Sequence, residues 1–147
     1  MSDSIRLPQI MVVDDDQDTV AILSRHLQRE GFLPIETNSG AQCLKLVHEN
    51  EVDVILLDLM MPEMDGFEVV RALKNDPITA EIPIIMITAR DDLDAREEGM
   101  RLGVSDFLAK PVFRKQLATR VRAQLEVLEA SRNATAALDR LERAEKH

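Results

Sequence analysis

The chain has a single cysteine, Cys43, no tryptophan and no tyrosine. One thiol cannot form a disulfide within the chain, so a disulfide-stapled secreted module is excluded and a reducing cytoplasm is the expected compartment. No apolar run approaches the roughly 20 residues that span a bilayer. The segment Met1–Arg6 also lacks the basic start and apolar stretch of a secretory signal. These absences predict a cytoplasmic protein without a membrane partner.

Positive charge is also scarce, because 18 Lys and Arg residues against 27 Asp and Glu residues give a formal net charge of −9. Direct binding of nucleic acid is therefore not expected, since it needs clustered cations against the phosphates. The acidic balance is compatible with a divalent cation or a basic protein surface as partner. The 147 residues, 45% of them hydrophobic, suffice for one domain with a buried core.

Short apolar runs alternate along the chain with segments of helical periodicity. The runs are residues 10–13, 33–37, 52–57, 83–87 and 107–109. Gly31 and Gly103 are placed to end helices. Ser39 can cap a helix whose inward residues are Ala41, Leu44 and Val47. A fourth helix is expected over residues 91–102. Five strands alternating with five helices predict a doubly wound α/β fold, in which a parallel sheet lies between two layers of helices.

The residues from Arg114 to His147 include no Gly or Pro and predict a long fifth helix. Its first half carries an apolar stripe for packing on the sheet, at Leu117, Val121, Leu125 and Leu128. Its second half has a 3-4 spaced seam, at Val127, Ala130, Ala134, Ala137, Leu141 and Ala144. The sequence therefore predicts a domain over residues 1–128 and a helical extension over residues 129–147. The extension is interpreted as a linker or dimerisation helix, with a solvated tail as the alternative.

Four of the predicted strands are followed by polar residues that suit one site. Asp14-Asp15-Asp16 follow the first strand, Asp58 the third, Thr88 the fourth and Lys110 the fifth. Because the carboxyl ends of parallel strands share one edge, where such folds bind ligands, these groups are expected to meet. Each of them alone has a structural alternative, since an Asp or Thr at a strand end often caps the next helix.

The predicted cluster suits phosphoryl chemistry. Crowded carboxylates repel unless a cation compensates, and oxygen ligands without His or Cys favour Mg²⁺ over Zn²⁺. Three carboxylates are balanced in charge by Mg²⁺ and the Lys110 ammonium. Such a site can accept a phosphoryl group, with Asp58 as the nucleophile and Thr88 donating its hydroxyl to a phosphoryl oxygen. The transfer itself relies mainly on positioning and electrostatics.

Four stretches of the chain resemble a bacterial response-regulator receiver domain. They are residues 11–15 (MVVDD), 56–66 (LLDLMMPEMDG), 87–89 (ITA) and 106–111 (DFLAKP). The resemblance covers residues 8–128. It implies a flavodoxin-like sheet with the strand order 2-1-3-4-5.

This resemblance also implies roles for the acidic residues. Asp58 would accept a phosphoryl group from the phosphohistidine of a histidine kinase or phosphotransfer protein. Asp15, Asp58 and the Met60 carbonyl would bind Mg²⁺ directly, and Asp14 mainly through water. Met60 and Arg90 occupy positions that tune hydrolysis of the acyl phosphate in this family.

Five further positions follow from the same resemblance. Thr88 and Lys110 would bind the phosphoryl oxygens, with the small Ala89 beside them, and the Lys110–Pro111 peptide would be cis.

Phe107 stands where the family often has Tyr, so a switch at this position must work without a hydrogen bond from a hydroxyl group. Thr88 moving toward the phosphoryl group would let the Phe107 ring turn inward. That movement would remodel the surface of the fourth helix, fifth strand and fifth helix. The changed surface would then alter contacts with an output domain or a downstream protein.

Three alternatives remain open at this point. Asp16 and Asp18 superficially fit the Asp-x-Asp motif of a haloacid-dehalogenase-like phosphatase. Asp14, Asp16 and Asp18 have the spacing of a calcium loop, but Thr19 and Arg25 replace the required Gly and Glu. A receiver-like scaffold that dimerises without being phosphorylated is the third. The sequence carries no recognisable output domain, so the protein acts on a separate partner or belongs to a longer chain.

Overall fold

The computed structural model describes residues 6–89 and 92–145, in which five strands alternate with five helices. The strands are β1 (Gln9–Val13), β2 (Leu33–Thr37), β3 (Val54–Leu57), β4 (Ile84–Thr88) and β5 (Asp106–Ala109). The helices are α1 (Gln17–Arg29), α2 (Gly40–Leu46), α3 (Gly66–Lys74), α4 (Leu93–Leu102) and α5 (Arg114–Glu145). All neighbouring strands pair in parallel, in the order β2-β1-β3-β4-β5. The predicted fold and strand order are confirmed.

Alternation of side chains along the strands divides the core in two. One face of the sheet packs against α2, α3 and α4, through Met11, Val13, Ile55, Leu57, Ile84 and Met86. The other packs against α1 and α5, through Ile10, Val12, Val54, Leu56, Ile85 and Ile87. Strands β3 and β4 are buried along their whole length, as expected for parallel strands covered on both sides.

Strand β3 begins at Val54, two residues later than the apolar run predicts. The buried carboxylate of Asp53 accepts a hydrogen bond from the Gln9 N–H at 2.8 Å. It also accepts two from the Arg6 guanidinium, at 3.1 and 3.2 Å. Asp53 thus anchors the segment before β1, and its burial is compensated by a paired charge.

Helix α2 turns Val47 and, in part, Leu44 toward the core as predicted, and only Ala41 departs from the predicted inward face. Ser39 does cap it, accepting a hydrogen bond from the Gln42 N–H at 3.1 Å. However, Ala41 is exposed, and Cys43 is buried instead. The reason is the tight approach at Gly40, where an added β-carbon would lie 2.8 Å from Val69 Cγ2. With Gly40 packed this closely, Cys43 faces inward together with the predicted Val47.

The remaining helix ends follow the predicted turn chemistry. Gly31 and Gly103 have left-handed φ angles of 89° and 104°, which glycine adopts without a side-chain clash. Asp92 caps α4 by accepting a hydrogen bond from the Ala95 N–H at 2.7 Å. Residues 90 and 91, where Arg90 lies and where α4 was expected to begin, are outside the described residues.

Helix α5 is the longest element, with 32 residues, or about 48 Å at 1.5 Å per residue. Leu117 and Val121 are buried in the core, and Leu125 and Leu128 are half-buried, which confirms the predicted stripe. Beyond them Leu141 and its neighbours are exposed. No helix within residues 6–89 and 92–145 is long and apolar enough to cross a membrane.

Candidate functional site

The carboxyl ends of β1 and β3 bring two acids side by side. Val13 is level with Leu57 in the paired strands, and the Asp58 N–H donates to the Val13 carbonyl at 2.9 Å. The next residue after each strand is therefore an aspartate at the same edge. Both carboxylates are buried, with Asp14 only 2% and Asp58 only 5% exposed. The strand register thus explains why residues 44 positions apart in sequence share one site.

Asp15 completes a cluster of three carboxylates. Asp14, Asp15 and Asp58 each place a carboxylate oxygen within 4.8 Å of the other two. Asp15 is exposed, so the cluster opens to solvent on one side. Burial raises the pKa of Asp58 above its ordinary value, and the charge of Asp14 raises it further. Such a cluster favours a cation, and its hard oxygen donors fit Mg²⁺.

Lys110 supplies a protein cation to this cluster. Its Nζ lies 2.8 Å from Asp14 Oδ2 and 3.4 Å from Asp58 Oδ2. Burial alone would lower the pKa of Lys110, but the hydrogen bond to Asp14 and the nearby carboxylate charges raise it overall. The lysine therefore stays an ammonium. One cation shared by two buried carboxylates leaves the three-acid site short of positive charge.

Thr88 lies at the same edge, where β4 ends beside β5. It is fully buried and level with Ala109, and its carbonyl accepts a hydrogen bond from the Lys110 N–H at 3.0 Å. The following residue, Ala89, is exposed. The Lys110–Pro111 peptide is cis, as the family resemblance predicts. The structure thus places Thr88 and Lys110 at adjacent strand ends.

Met60 lies in the loop after β3. Its backbone N–H donates to Asp58 Oδ1 at 3.3 Å, and its side chain is exposed. This hydrogen bond fixes one oxygen of Asp58 and leaves Oδ2 facing Lys110. The metal-binding role of the Met60 carbonyl stays a prediction.

Asp16 has a different function from its two neighbours in the acid run. Its carboxylate caps α1, accepting hydrogen bonds from the Thr19 hydroxyl at 2.9 Å and the Asp18 N–H at 3.1 Å. The Thr19 bond, followed by the Asp18 bond, lowers the pKa of Asp16. Its own N–H donates to Asp14 Oδ1 at 2.9 Å and so orients that carboxylate. Because Asp16 serves as the cap and Asp18 is exposed in the first turn, neither the phosphatase motif nor the calcium loop is assembled.

Gly66 is a site-supporting residue that the sequence analysis does not single out. A β-carbon added there would lie 2.6 Å from the Asp58 carbonyl oxygen and 2.8 Å from Leu59 Cα. Only glycine allows α3 to begin this close to the backbone of Asp58. The sequence feature that could have indicated this helix start is the dipeptide Asp65-Gly66. In the structure Asp65 forms a capping box with Glu68.

The ring of Phe107 is buried beneath α4. It is 3% exposed, and the Arg96 guanidinium carbon lies 5.6 Å from the ring centroid. The ring therefore already points inward in this structure. A change of its position with phosphorylation stays a prediction.

The sequence matches the response regulator receiver domain family over residues 10–122. The chain therefore belongs to this family, the receiving modules of two-component systems. It is 38% identical over 125 residues to the transcriptional regulatory protein PrrA of Mycobacterium tuberculosis, covering 85% of this chain and 53% of PrrA. It is 43% identical over 115 residues to the response regulator PleD of Caulobacter vibrioides, covering 78% of this chain and 25% of PleD. The chain thus spans about half of PrrA and a quarter of PleD.

Solved structures agree with this assignment. The chemotaxis protein CheY4 of Vibrio cholerae superimposes with a TM-score of 0.78 at 28% identity, covering 82% of this chain and all (100%) of CheY4. A putative response regulator of Chloroflexus aurantiacus gives a TM-score of 0.78 at 30% identity, covering 82% of this chain and 99% of that one. The shared part is the compact domain. The fold class and the regulatory nature of the domain are established on these grounds.

Proposed function

We propose that this domain receives a phosphoryl group on Asp58 from the phosphohistidine of a histidine kinase or phosphotransfer protein. The observation that carries the proposal is the position of Lys110 Nζ, 2.8 Å from Asp14 and 3.4 Å from Asp58. This places one carboxylate oxygen of Asp58 beside a cation that can pair with an incoming phosphoryl group. The group would move as follows: an Asp58 oxygen bonds to phosphorus, the phosphorus–nitrogen bond breaks, and the donor histidine, which carries a proton on its other ring nitrogen, leaves as a neutral imidazole.

Three carboxylates would hold Mg²⁺ in this proposal. Asp15 and Asp58 would be direct ligands together with the Met60 carbonyl, and Asp14 would act mainly through water. The bound ion would neutralise charge on the phosphoryl oxygens. The proposal is supported by the mutual 4.8 Å spacing of the three carboxylates and by their oxygen-only chemistry.

The other residues at the edge would hold the phosphoryl oxygens. Lys110 would shift its ammonium from Asp58 toward the new phosphoryl group, keeping its bond to Asp14. Thr88 would donate its hydroxyl, and the small Ala89 side chain would leave room for the group. The same groups would permit the slow loss of the phosphoryl group to water, at a rate to which Met60 and Arg90 contribute. Apart from this self-phosphorylation and dephosphorylation, the domain would have a regulatory and not an enzymatic function.

The output of the domain would be a change at α4, β5 and α5. Movement of Thr88 toward the phosphoryl group would alter the packing around Phe107, and α5 would carry the change into the extension. The extension, residues 129–147, would then serve as a linker to an output domain or as a homodimer helix. Its exposed apolar residues Leu138 and Leu141, together with the exposed Val127 just before it, support a role in contacting another helix. A cytoplasmic location fits a kinase partner and the single buried thiol.

Intact-mass measurement tests the phosphorylation. Wild type incubated with Mg²⁺ and acetyl phosphate should gain one phosphoryl group, about 80 Da, and Asp58→Ala should gain none. Asp18→Ala, which removes an exposed acid of α1, is the matched control and should be labelled like wild type. Equal labelling of wild type and Asp58→Ala would overturn the proposal. Absence of labelling in both, with Mg²⁺ binding retained, would favour the unphosphorylated scaffold.

A further inference from the structure

Both carboxylate oxygens of Asp14 are held by hydrogen bonds from other residues. Oδ1 accepts one from the Asp16 N–H at 2.9 Å, and Oδ2 accepts one from Lys110 Nζ at 2.8 Å. The backbone of Asp14 is held too, because its N–H donates to the Thr37 carbonyl at 3.4 Å. The carboxylate therefore has one orientation at the sheet edge. That orientation depends on where the backbone of Asp16 lies, because Asp16 supplies one of the two hydrogen bonds.

The first turn of α1 fixes the backbone of Asp16. The Asp16 carboxylate accepts a hydrogen bond from the Asp18 N–H at 3.1 Å and another from the Thr19 hydroxyl at 2.9 Å. The Asp16 carbonyl accepts a third from the Val20 N–H at 3.0 Å. These bonds keep Asp16 in the extended conformation of an N-cap residue, with φ −89° and ψ 109°. In that conformation its own N–H donates to Asp14.

Asp15 lies between Asp14 and Asp16, so its backbone is held from both sides. Asp15 itself is exposed, and one of its carboxylate oxygens lies within 4.8 Å of an oxygen of Asp14 and of Asp58. Carboxylates this close repel one another. A loop that was free to relax would turn the exposed Asp15 away from the other two acids. The cap of α1 opposes that relaxation.

We infer that Asp16 and Thr19 are positioning residues for Mg²⁺, an inference that rests on the proposed function of the acid cluster. The Thr19 hydroxyl holds Asp16, and Asp16 holds Asp14 and Asp15 in the arrangement that a divalent ion needs. Asp16 is not itself a ligand, because both of its carboxylate oxygens accept hydrogen bonds from α1.

The physical reason is preorganisation of the site. Acids that are ordered before the ion arrives lose less conformational freedom on binding, so they bind the ion more tightly. Residues that orient the ligands of a metal site typically contribute about 10–100-fold to its affinity. The contribution of Thr19 reaches the ion only through the backbone of Asp16.

The cap of α2 shows what a cap does without this connection. The Ser39 hydroxyl accepts a hydrogen bond from the Gln42 N–H at 3.1 Å and stabilises the start of its own helix. The cap of α1 differs, because the capping residue also donates a hydrogen bond to an acid of the site. Loss of the Thr19 hydroxyl should therefore weaken both the helix start and the ion site. Loss of the Ser39 hydroxyl should weaken only the helix start.

Isothermal titration calorimetry with Mg²⁺ tests the inference. Thr19→Val keeps the shape of the side chain and removes the hydroxyl, and it should raise the Kd for Mg²⁺ about tenfold or more. Thr19→Ser keeps the hydroxyl and should bind Mg²⁺ nearly as tightly as wild type. Ser39→Ala is the matched control and should leave the Kd unchanged. Urea unfolding without Mg²⁺ measures how far each variant is destabilised, so that affinities are compared with the stability of each variant known.

Asp16→Asn separates orientation from charge. Asparagine caps helices about as well as aspartate, since its oxygen can accept from the Asp18 N–H and its amide can donate to the Thr19 hydroxyl. Only the charge is lost, so the rise in Kd should be smaller than that in Thr19→Val. A larger rise in Asp16→Asn would make Asp16 a ligand through its charge and would overturn the inference.

Two further results would overturn it. One is a wild-type Kd in Thr19→Val, and the other is an equal rise of Kd in Thr19→Val and Ser39→Ala, which would reflect destabilisation alone. Acetyl phosphate labelling of Asp58 at saturating Mg²⁺ separates these results from the proposed function. Labelling of wild type together with an unchanged Kd in Thr19→Val rejects the positioning role alone. Absence of Mg²⁺ binding or of labelling in wild type rejects the proposed function and the inference with it.

Discussion

The ring of Phe107 occupies the volume that a β-carbon on Gly99 would need. A β-carbon built on Gly99 would overlap Phe107 Cε2 and would lie 3.0 Å from its Cζ, well inside van der Waals contact. Arg96 covers the ring from the same helix, with its guanidinium carbon 5.6 Å from the centroid. A side chain at position 99 and an inward ring at position 107 therefore exclude each other. Gly99 is what allows α4 to lie over the buried ring.

The substitution Gly99→Ala is expected to destabilise the domain by about 1–3 kcal/mol, because the added methyl overpacks the contact. Alanine is ordinarily the better helix former by about 1 kcal/mol, so the sign of the effect is diagnostic. Urea unfolding at equilibrium measures it. In a Phe107→Ala background the ring is gone, and the same Gly99→Ala change should stabilise the protein. A stabilising effect of Gly99→Ala in the wild-type background would contradict the contact.

Removal of an acid proposed to bind the metal should abolish stabilisation by Mg²⁺. Asp15→Asn is the sharpest variant, because Asp15 is exposed and its loss disturbs no core contact. For wild type, Mg²⁺ at 100 times its Kd should raise the free energy of unfolding by about 2.7 kcal/mol. Thermal melts with and without Mg²⁺ should show this gain in wild type and in Asp18→Asn, but not in Asp15→Asn. A full gain in Asp15→Asn would remove this residue from the ligand set.

The edge of the site was predictable because each of its residues follows an apolar run. Parallel pairing of β1 with β3 then places Asp14 beside Asp58, and this result does not depend on the conformation of the loops. The local pattern could not separate Asp16 from its two acidic neighbours, since the difference depends on where α1 begins. That point is fixed by the Thr19 and Asp18 hydrogen bonds to Asp16.

Contacts between distant segments account for what the sequence did not predict. Asp53 interrupts an apolar run because it pairs with Arg6, 47 positions away. Gly66 and Gly99 look like ordinary loop and helix glycines, but each faces a close approach from another element. Periodicity reports which residues are apolar. It does not report where the inward face of a helix ends, as the exposed Ala41 of α2 shows.

The His26 imidazole should make stability depend on pH. Burial, and then the charges of Arg114, Arg29 and Arg25, depress its folded pKa below the ordinary 6.5. The unfolded chain then binds the proton more tightly, so stability is full above about pH 6.5 and falls as the pH drops through the folded pKa. His26→Gln should lose less free energy of unfolding than wild type between pH 7 and pH 5. Identical losses in urea titrations at the two pH values would show that His26 does not contribute.

The Cys43 thiol should be unreactive in the folded domain. It is fully buried, and burial raises its pKa to about 12, so almost no thiolate forms at pH 8. Iodoacetamide followed by mass spectrometry should show alkylation only as fast as the domain opens, and rapid alkylation in guanidinium. Phe32→Ala, which weakens the core on the opposite side of the sheet, should speed labelling through unfolding. Fast labelling of the native wild type would contradict the burial of Cys43.

A chain ending at Leu128 should retain the stability of the compact domain. The core contribution of α5 comes from Leu117 and Val121, whereas Leu141 in the extension is exposed. Because the extension buries little apolar surface, its removal should change the free energy of unfolding by less than about 0.5 kcal/mol. Sedimentation velocity on the full and shortened chains then tests the extension as an association helix. A dimer of the full chain that becomes a monomer after truncation is expected, and Leu141→Glu should have the same effect. Loss of domain stability on truncation would instead show that the boundary lies beyond Leu128.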